Sequence, residues 1–389
     1  MTRFGNQSSR VYELLLTFLW LAVCIVAIVV SLKTGRTVSG NYYDAALHWL
    51  NGQHLYTGQG GGFIYLPQSA VLYTPFALFP FWLSEVLWRL VNWGLIFYGV
   101  CFWLKLYAQG NFKRYTSALF LFSLFFIPIA FSSLRNGQMN MILVSGGLWF
   151  FAAFYKEKFW IAALILMLAF FLKPTIAVLC GLGFCLYPRI RFPVLCWGVF
   201  FLVLPFVTNI HWAYVVGEYQ SGVNSLVVSA NVGSDNVQSW AQLFNFLSLF
   251  SAHEMPNIFQ TLLRVIFAMV TLLMAIRAKK HYEIKVSYLL VYALFAAYLM
   301  LFNPRTENND YIILAAGIAF MGVIFIQYKN VMNWMFMLVC SVGIIFSSNI
   351  SMLLTPMDQS WVTPLVALLC YIYLCVAILL KYGSSRQGV

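Results

Sequence analysis

The chain has 389 residues and a net charge of +12, with 62% of its residues hydrophobic and only 9% charged. A soluble domain carries about 25% charged residues, so the composition excludes a soluble globular protein and describes a polytopic membrane protein. It also removes nucleic acid as the meaning of the positive charge, which belongs instead to basic residues on the cytoplasmic side of a membrane.

A helix that crosses a membrane needs about 20 mostly apolar residues. Such runs lie near 11–33, 83–107, 117–134, 139–155, 159–173, 174–188, 192–208, 259–276, 286–302, 311–327, 331–348 and 361–380. They predict an all-α integral membrane protein of about twelve transmembrane helices, one domain over 1–389. The first run is long for a signal-peptide core and no small-residue cleavage motif follows it, so it counts as a span. Arg3, Arg10, Lys105, Lys113, Arg114, Lys156, Lys158, Arg189, Arg191, Arg277, Lys279, Lys280, Lys285, Lys329, Lys381 and Arg386 all fall on one side of this arrangement. The positive-inside rule makes that side the cytoplasm and places both termini in it. The same parity reads 159–188 as a hairpin with Lys173 and Pro174 at its outer tip. It puts 69–82 on the outer surface or partway into the membrane. The outer loops are then 34–82, 135–140, 209–257, 303–310 and 348–360. Asp44, Glu85, Glu218, Asp235, Glu254, Glu307, Asp310 and Asp358, eight of the eleven acids, lie in them or in the outer third of a span. The eight cysteines sit in apolar runs without metal-ligand spacing and read as small buried hydrophobes.

The first long break in the apolar pattern, 38–80, carries an acid, two histidines, a glycine run and several tyrosines. Within it 41–51 reads as a short amphipathic helix with Tyr42, Ala45, Ala46, Trp49 and Leu50 as its apolar stripe. Asp44 and His48 stand four apart and can meet. An acid held by a histidine suits a general base, and an interfacial helix with an ordinary polar face is the plainer alternative. The glycine run at 58–62 lacks the spacing of a phosphate-binding fingerprint and reads as a flexible turn. Arg135, Asn136, Gly137, Gln138 and Asn140 follow; their amides either face a cavity and bind sugar hydroxyls or cap a helix. Lys173 either snorkels to the bilayer edge or lines an aqueous cavity, where its natural partner is a phosphate. In 303–310, Arg305 lies close enough to Glu307 and Asp310 to keep them ionised, unless the loop is simply solvated. Asn236 to Ser239 (residues 236–239) is a weaker signal.

In their order and spacing these motifs resemble the family 87 glycosyltransferases, polytopic enzymes of the GT-C class, to which a mycobacterial phosphatidylinositol mannoside mannosyltransferase also belongs. The resemblance covers most of the chain. Tyr42, Tyr43, Ala45, Ala46, Leu50, Gly52 and Tyr56 are similar to the family's first outer loop. Phe63, Tyr65, Pro67, Pro75 and Pro80 are similar to its aromatic–proline segment, with Leu66 where a first proline is common. Gly137, Gln138 and Asn140, then Lys173 and Pro174, match two central motifs. Residues 236–239 resemble an Asn-Gln-Ser segment, and 303–311 one branch's form of the motif before the last spans. Where the family usually carries an Asp about seven residues before the Ala-Ala pair, this chain has Val38, and the nearest acid is Asp44.

The resemblance implies a GT-C-like fold with a cavity under the first outer loop. It implies inverting, metal-independent transfer of a sugar, a mannose-like hexose or a pentose, from a polyprenyl-phosphate donor. The acceptor is a lipid or glycan at the periplasmic face of a bacterial inner membrane. Asp44 is then the expected base, with Asp310 or Glu307 as competitor. Lys173, with Arg305 or Arg135, holds the donor phosphate. His48, Tyr43, Tyr65, Gln138 and Asn140 bind sugar or acceptor hydroxyls. The expected partners are donor, acceptor and membrane lipids, with no nucleic acid, cofactor or metal. Two other classes stand beside this one. A lipid-linked sugar transporter or flippase would place ionisable groups deep in both halves and show internal symmetry, and neither is visible. A non-catalytic polyprenyl-phosphate-binding protein of envelope assembly takes its support from Val38.

Overall fold

The computed structural model describes residues 2–57, 62–230, 243–248, 255–304, 306–327, 331–354 and 361–380, and every regular element among them is helical. Helix α1 (Thr2–Thr34) is followed by two short helices, α2 (Ser39–Leu50) and α3 (Pro67–Ala77), and then by α4 (Phe81–Ala108) and α5 (Phe112–Arg135). Next come α6 (Asn140–Tyr155), α7 (Phe159–Leu172), α8 (Ala177–Leu186), α9 (Arg191–Thr208), α10 (Trp212–Ala230) and α11 (Leu243–Ser248). The chain continues through α12 (Asn257–His281), α13 (Ile284–Phe302), α14 (Ile312–Gln327), α15 (Val331–Ile345), α16 (Ser347–Leu354) and α17 (Val362–Leu379).

Among the described residues, seven helices are long and apolar enough to cross a membrane: Arg10–Thr34 within α1, then α4, α5, Pro188–Thr208 containing α9, α12, α13 and α17. An eighth crossing arises if α15 and α16, bent by 76° at their junction, act as one span. The runs Asn140–Tyr155, Phe159–Leu172, Pro174–Leu186 and Asn308–Ile324 are apolar but shorter. The protein is therefore membrane-embedded and all-helical. Each of the twelve runs expected from sequence coincides with one of these elements, although not each is long enough to cross alone.

The chain divides into two compact units. The first comprises 1–12, 104–130 and 232–389. Its core is α13 and α14: Leu294, Phe295 and Ala296 of α13 are fully buried, as are Ala315, Ala316 and Ala319 of α14. Tyr371 of α17 shares a hydroxyl contact of 2.8 Å with Thr271 of α12. The second comprises 13–103 and 131–231. There Gly183 of α8 lies against Leu166 of α7, and the Arg189 guanidinium sits 5.4 Å over the Phe159 ring at the start of α7. The two helices thus form a hairpin that turns at Lys173. Helix α7 has 14 residues. At 1.5 Å per residue it is about 21 Å long, short of the roughly 30 Å hydrocarbon core. Broken backbone at such a depth is tolerated where protein surrounds it or a cavity receives it.

Most of the segment read as surface or re-entrant, 69–82, falls in α3, and its last two residues open α4. Pro67 opens α3, where the missing N–H would have had no helical partner. The Ser69 hydroxyl donates to the Leu172 carbonyl at 3.1 Å, which seats the start of α3 beside the end of α7. Helix α2 begins at Ser39, slightly earlier than its hydrophobic pattern indicates. It buries Tyr42, Ala45, Ala46 and Trp49 against α3, but Leu50, expected on that stripe, is 49% exposed. None of the eight cysteines is in a disulfide; Cys185 is exposed, against the expectation of burial.

Candidate active site

Polar chemistry in the second unit gathers around the segment from Thr37 to Ser69, and each group pins that segment to a different helix. On α4, Glu85 and Arg89 stand one turn apart, both almost fully buried, and pair at 2.8 Å. Arg89 also donates to the Ser31 hydroxyl at 2.7 Å and to the carbonyls of Leu134 and Arg135 at 3.0 and 2.8 Å. Glu85 accepts from the Thr37 hydroxyl at 3.3 Å and from the Ser39 hydroxyl. An isolated charge at this depth would cost several kcal/mol, and this web of partners is what makes the pair tolerable. It joins the residues that lead into α2 to the turn between α5 and α6. Gly137 in that turn has φ +64°, a left-handed conformation, and a Cβ there would lie 2.6 Å from the Ser39 hydroxyl oxygen. The Trp88 indole donates to the Gly137 carbonyl at 2.9 Å.

Helix α10 holds the other end of the segment. Glu218, with its side chain 5% exposed, takes the His54 Nδ1 at 2.8 Å and the Leu55 backbone N–H at 3.0 Å. Tyr214 donates its hydroxyl to the Gln53 carbonyl at 2.7 Å. The fully buried Gln68 donates its amide to the Tyr219 hydroxyl. Tyr56 reaches the Tyr65 carbonyl at 2.7 Å. Burial pushes the Tyr56 and Tyr214 phenols up, and the Glu218 carboxylate adds to both shifts. Burial raises Tyr219 to about 12, against a small opposing effect of its bond to Gln68.

Lys173, at the hairpin turn, donates to the side-chain oxygen of Asn140, the first residue of α6. Asn140 is fully buried, and its amide nitrogen has no protein partner among the described residues. The Gln68 side-chain oxygen and His48 Nδ1 are likewise buried and unpartnered. Gln138 is buried two residues before Asn140. Between these groups runs an aromatic wall in which Tyr42 lies 5.7 Å from Tyr65 and 5.8 Å from Tyr73. The structure thus brings Lys173, Asn140, Gln138 and Tyr65 to one region of the unit. Tyr43 lies off it, donating to the Phe79 carbonyl at 3.1 Å, and Arg135 turns its guanidinium to the neighbouring Asn136 at 3.1 Å.

Asp44 and His48 do not meet. Asp44 is exposed and carries no hydrogen bond or ion pair among the described residues, whereas His48 is partly buried on the flank of α2. The buried face of α2 is set by Tyr42, Ala45, Ala46 and Trp49, and the helical repeat turns position 44 directly away from it.

Glu307 and Asp310 belong to the first unit. They form a reciprocal capping box around the single turn Asn308–Tyr311, with the Glu307 N–H donating to Asp310 at 2.7 Å. Arg305, and residues 236–239 and 58–61, lie outside the described residues. Among the described residues no three His, Cys, Asp or Glu side chains gather in a metal-sized group.

The segment 63–356 matches the sequence profile of Glycosyltransferase family 87. The chain belongs to glycosyltransferase family 87. It is a membrane glycosyltransferase. No curated protein matches it. The family match takes in Tyr65, Gln138, Asn140, Lys173, Glu218, Glu307 and Asp310, while Tyr43, Asp44, His48 and His54 precede it. Two polar pairs of this family member escaped the sequence reading as site groups. Glu85 and Arg89 carried a visible signal, opposite charges four apart in an apolar run. His54 and Glu218 are 164 residues apart, and only the fold brings them together.

Proposed function

We propose that this family 87 member transfers one sugar from a polyprenyl-phosphate donor to a lipid or glycan hydroxyl, with inversion, at the periplasmic face of a bacterial inner membrane. The observation that carries the reading is Lys173. It is a cation at the turn of a helical hairpin too short to cross the membrane, held by a fully buried amide whose nitrogen is left over. As the bond from the anomeric carbon to the donor oxygen breaks, negative charge builds on the phosphate. A positioned ammonium stabilises that charge without reorganising. The Asn140 amide nitrogen, the Gln68 oxygen and Gln138 are suited to sugar hydroxyls, which donate and accept. The aromatic wall of Tyr42, Tyr65 and Tyr73 offers an apolar face to the ring. The one-sided distribution of basic residues supports cytoplasmic termini.

The attacking hydroxyl must lose its proton to a base within reach. Asp44 is exposed and its oxygens are unengaged among the described residues, so it is one candidate. Glu307 and Asp310 already commit oxygen lone pairs to backbone N–H groups, which leaves them less to offer.

Purified protein in detergent, given a panel of polyprenyl-phosphate sugars, would be followed for release of free polyprenyl phosphate with and without membrane-lipid extract. Extract-dependent release is the expected result and names the donor. Donor binding with no release from any member of the panel would sink the transferase reading and favour a non-catalytic lipid-phosphate binder.

A further inference from the structure

The pair of His54 and Glu218 has the architecture of an oriented base. A histidine that takes a proton needs three things: one ring nitrogen fixed by a carboxylate, the other free, and a carboxylate that cannot swing away. Here Nδ1 of His54 is bound to Glu218 at 2.8 Å. Glu218 is itself fixed from the far side by the Leu55 N–H at 3.0 Å. The carboxylate side chain is 5% exposed while that of His54 is 50% exposed. The buried acceptor keeps the proton of the neutral ring on Nδ1 and leaves the Nε2 lone pair free. The ring stands 5.7 Å from that of Tyr56, which continues through Phe63 to Tyr65 and so into the aromatic wall. From α10, Tyr214 lies near the same carboxylate, and Tyr219, one residue beyond Glu218, reaches Gln68. Among the described residues, the titratable groups placed beside the pair are Glu218, Tyr56, Tyr214 and Tyr219.

We infer that His54, oriented by Glu218, is the catalytic base that deprotonates the acceptor hydroxyl, in preference to Asp44. The inference rests on the sugar transfer proposed above. The acceptor oxygen forms its bond to the anomeric carbon as the bond from that carbon to the donor phosphate oxygen breaks. The bonding pair leaves with the phosphate, and the hydroxyl proton passes to Nε2. Glu218 steadies the resulting imidazolium, which returns the proton to water. The products are the glycoside and the free polyprenyl phosphate, and no other reactant enters. Among the described residues Asp44 has no orienting partner, whereas His54 has one that is itself held.

The test uses the full chain in the donor-release assay, comparing wild type with His54→Gln, His54→Ala, Glu218→Gln and Asp44→Asn. His54→Gln should lower kcat by about 10²–10⁴-fold with KM little changed. Wild type should show an acid limb in kcat/KM that His54→Gln lacks. Added imidazole should restore part of the His54→Ala rate, which a lost structural clasp would not allow. Glu218→Gln should lower kcat, and the loss in His54→Gln should exceed any loss in Asp44→Asn. If wild type turns over no donor, the transfer reading falls and the base falls with it. If wild type turns over and His54→Gln matches it, the base assignment alone is overturned. A higher KM with no imidazole rescue, or a loss in Asp44→Asn in its place, overturns it too.

Discussion

Replacing Arg89 by methionine keeps much of the side-chain volume and deletes the charge. In the folded protein Glu85 is 2% exposed, so its carboxylate would be left without its cation in a place water does not reach. Breaking a buried pair from one side costs about 3–5 kcal/mol. The carbonyls of Leu134 and Arg135 and the Ser31 hydroxyl lose a donor as well, each net hydrogen bond being worth about 1 kcal/mol. Removing both charges with Glu85→Leu and Arg89→Met should recover part of the loss, because no lone charge remains; the coupling should reach about 1–3 kcal/mol. Unfolding in mixed micelles as the fraction of denaturing detergent is raised, read by tryptophan fluorescence, would measure this. Trp88 adjoins Arg89 in sequence and bonds the turn that the pair holds. An Arg89→Met variant that unfolds with wild type, or single losses that simply add in the double variant, would refute the account of the pair as a mutually dependent clasp.

Gly137→Ala should destabilise the protein by about 1–3 kcal/mol in the same assay, since a left-handed backbone is strained for alanine and its methyl group would meet Ser39 and Arg89. Lys173→Ala should lower kcat/KM for donor turnover by about 10²–10³-fold, as loss of a single electrostatic stabiliser does, and Lys173→Arg should restore part of it. Tyr219→Phe should cost about 1–3 kcal/mol of stability because the buried Gln68 amide loses its acceptor. Tyr56, Tyr214 and Tyr219 have phenols raised in the folded state, so the stability they contribute is intact below about pH 10 and is lost as pH rises through their folded values. Melting followed from pH 8 to pH 12 should show a steep fall above pH 10 that is shallower in Tyr219→Phe.

Much of the helical plan was legible because a span is a local property: an apolar run announces itself without knowing its neighbours. Crossing was less legible, since α6, α7 and α8 are apolar but too short, and only packing shows where they stop. The Asp44 and His48 spacing was correct in sequence and uninformative in space. Four-apart residues are neighbours on a helix, yet whether they bond depends on which face the helix buries, and Tyr42, Ala46 and Trp49 decide that. Lys173 and Asn140 were each singled out from sequence for separate reasons, and the fold joins them in one hydrogen bond. The three-residue spacing of Glu307 and Asp310 fits a capping box as well as it fits an ion pair with Arg305, and the fold realises the capping box. Nothing local marks His54 as different from His48.

The cost of the second unit's polar groups points to where function lies. In an apolar protein a buried polar group is expensive unless partnered, and a bundle that had only to span would do without them. Here Glu85 with Arg89, Glu218 with His54, Gln68 with Tyr219, and Lys173 with Asn140 all border the segment between α1 and the start of α3 or the two helix ends beside it. The segment is tied at Thr37 and Ser39 by α4, and at His54, Leu55 and Gln68 by α10. Such ties fix a loop far more tightly than chain connectivity requires. They leave its aromatic underside buried and the His54 ring exposed at its edge. In the first unit the acids Glu307 and Asp310 close on each other's backbone instead. A segment tied at these residues, with polar atoms beneath it that have no partner among the described residues, is costly as scaffolding and useful as a preorganised site, because donors fixed before the reaction need not be reorganised during it.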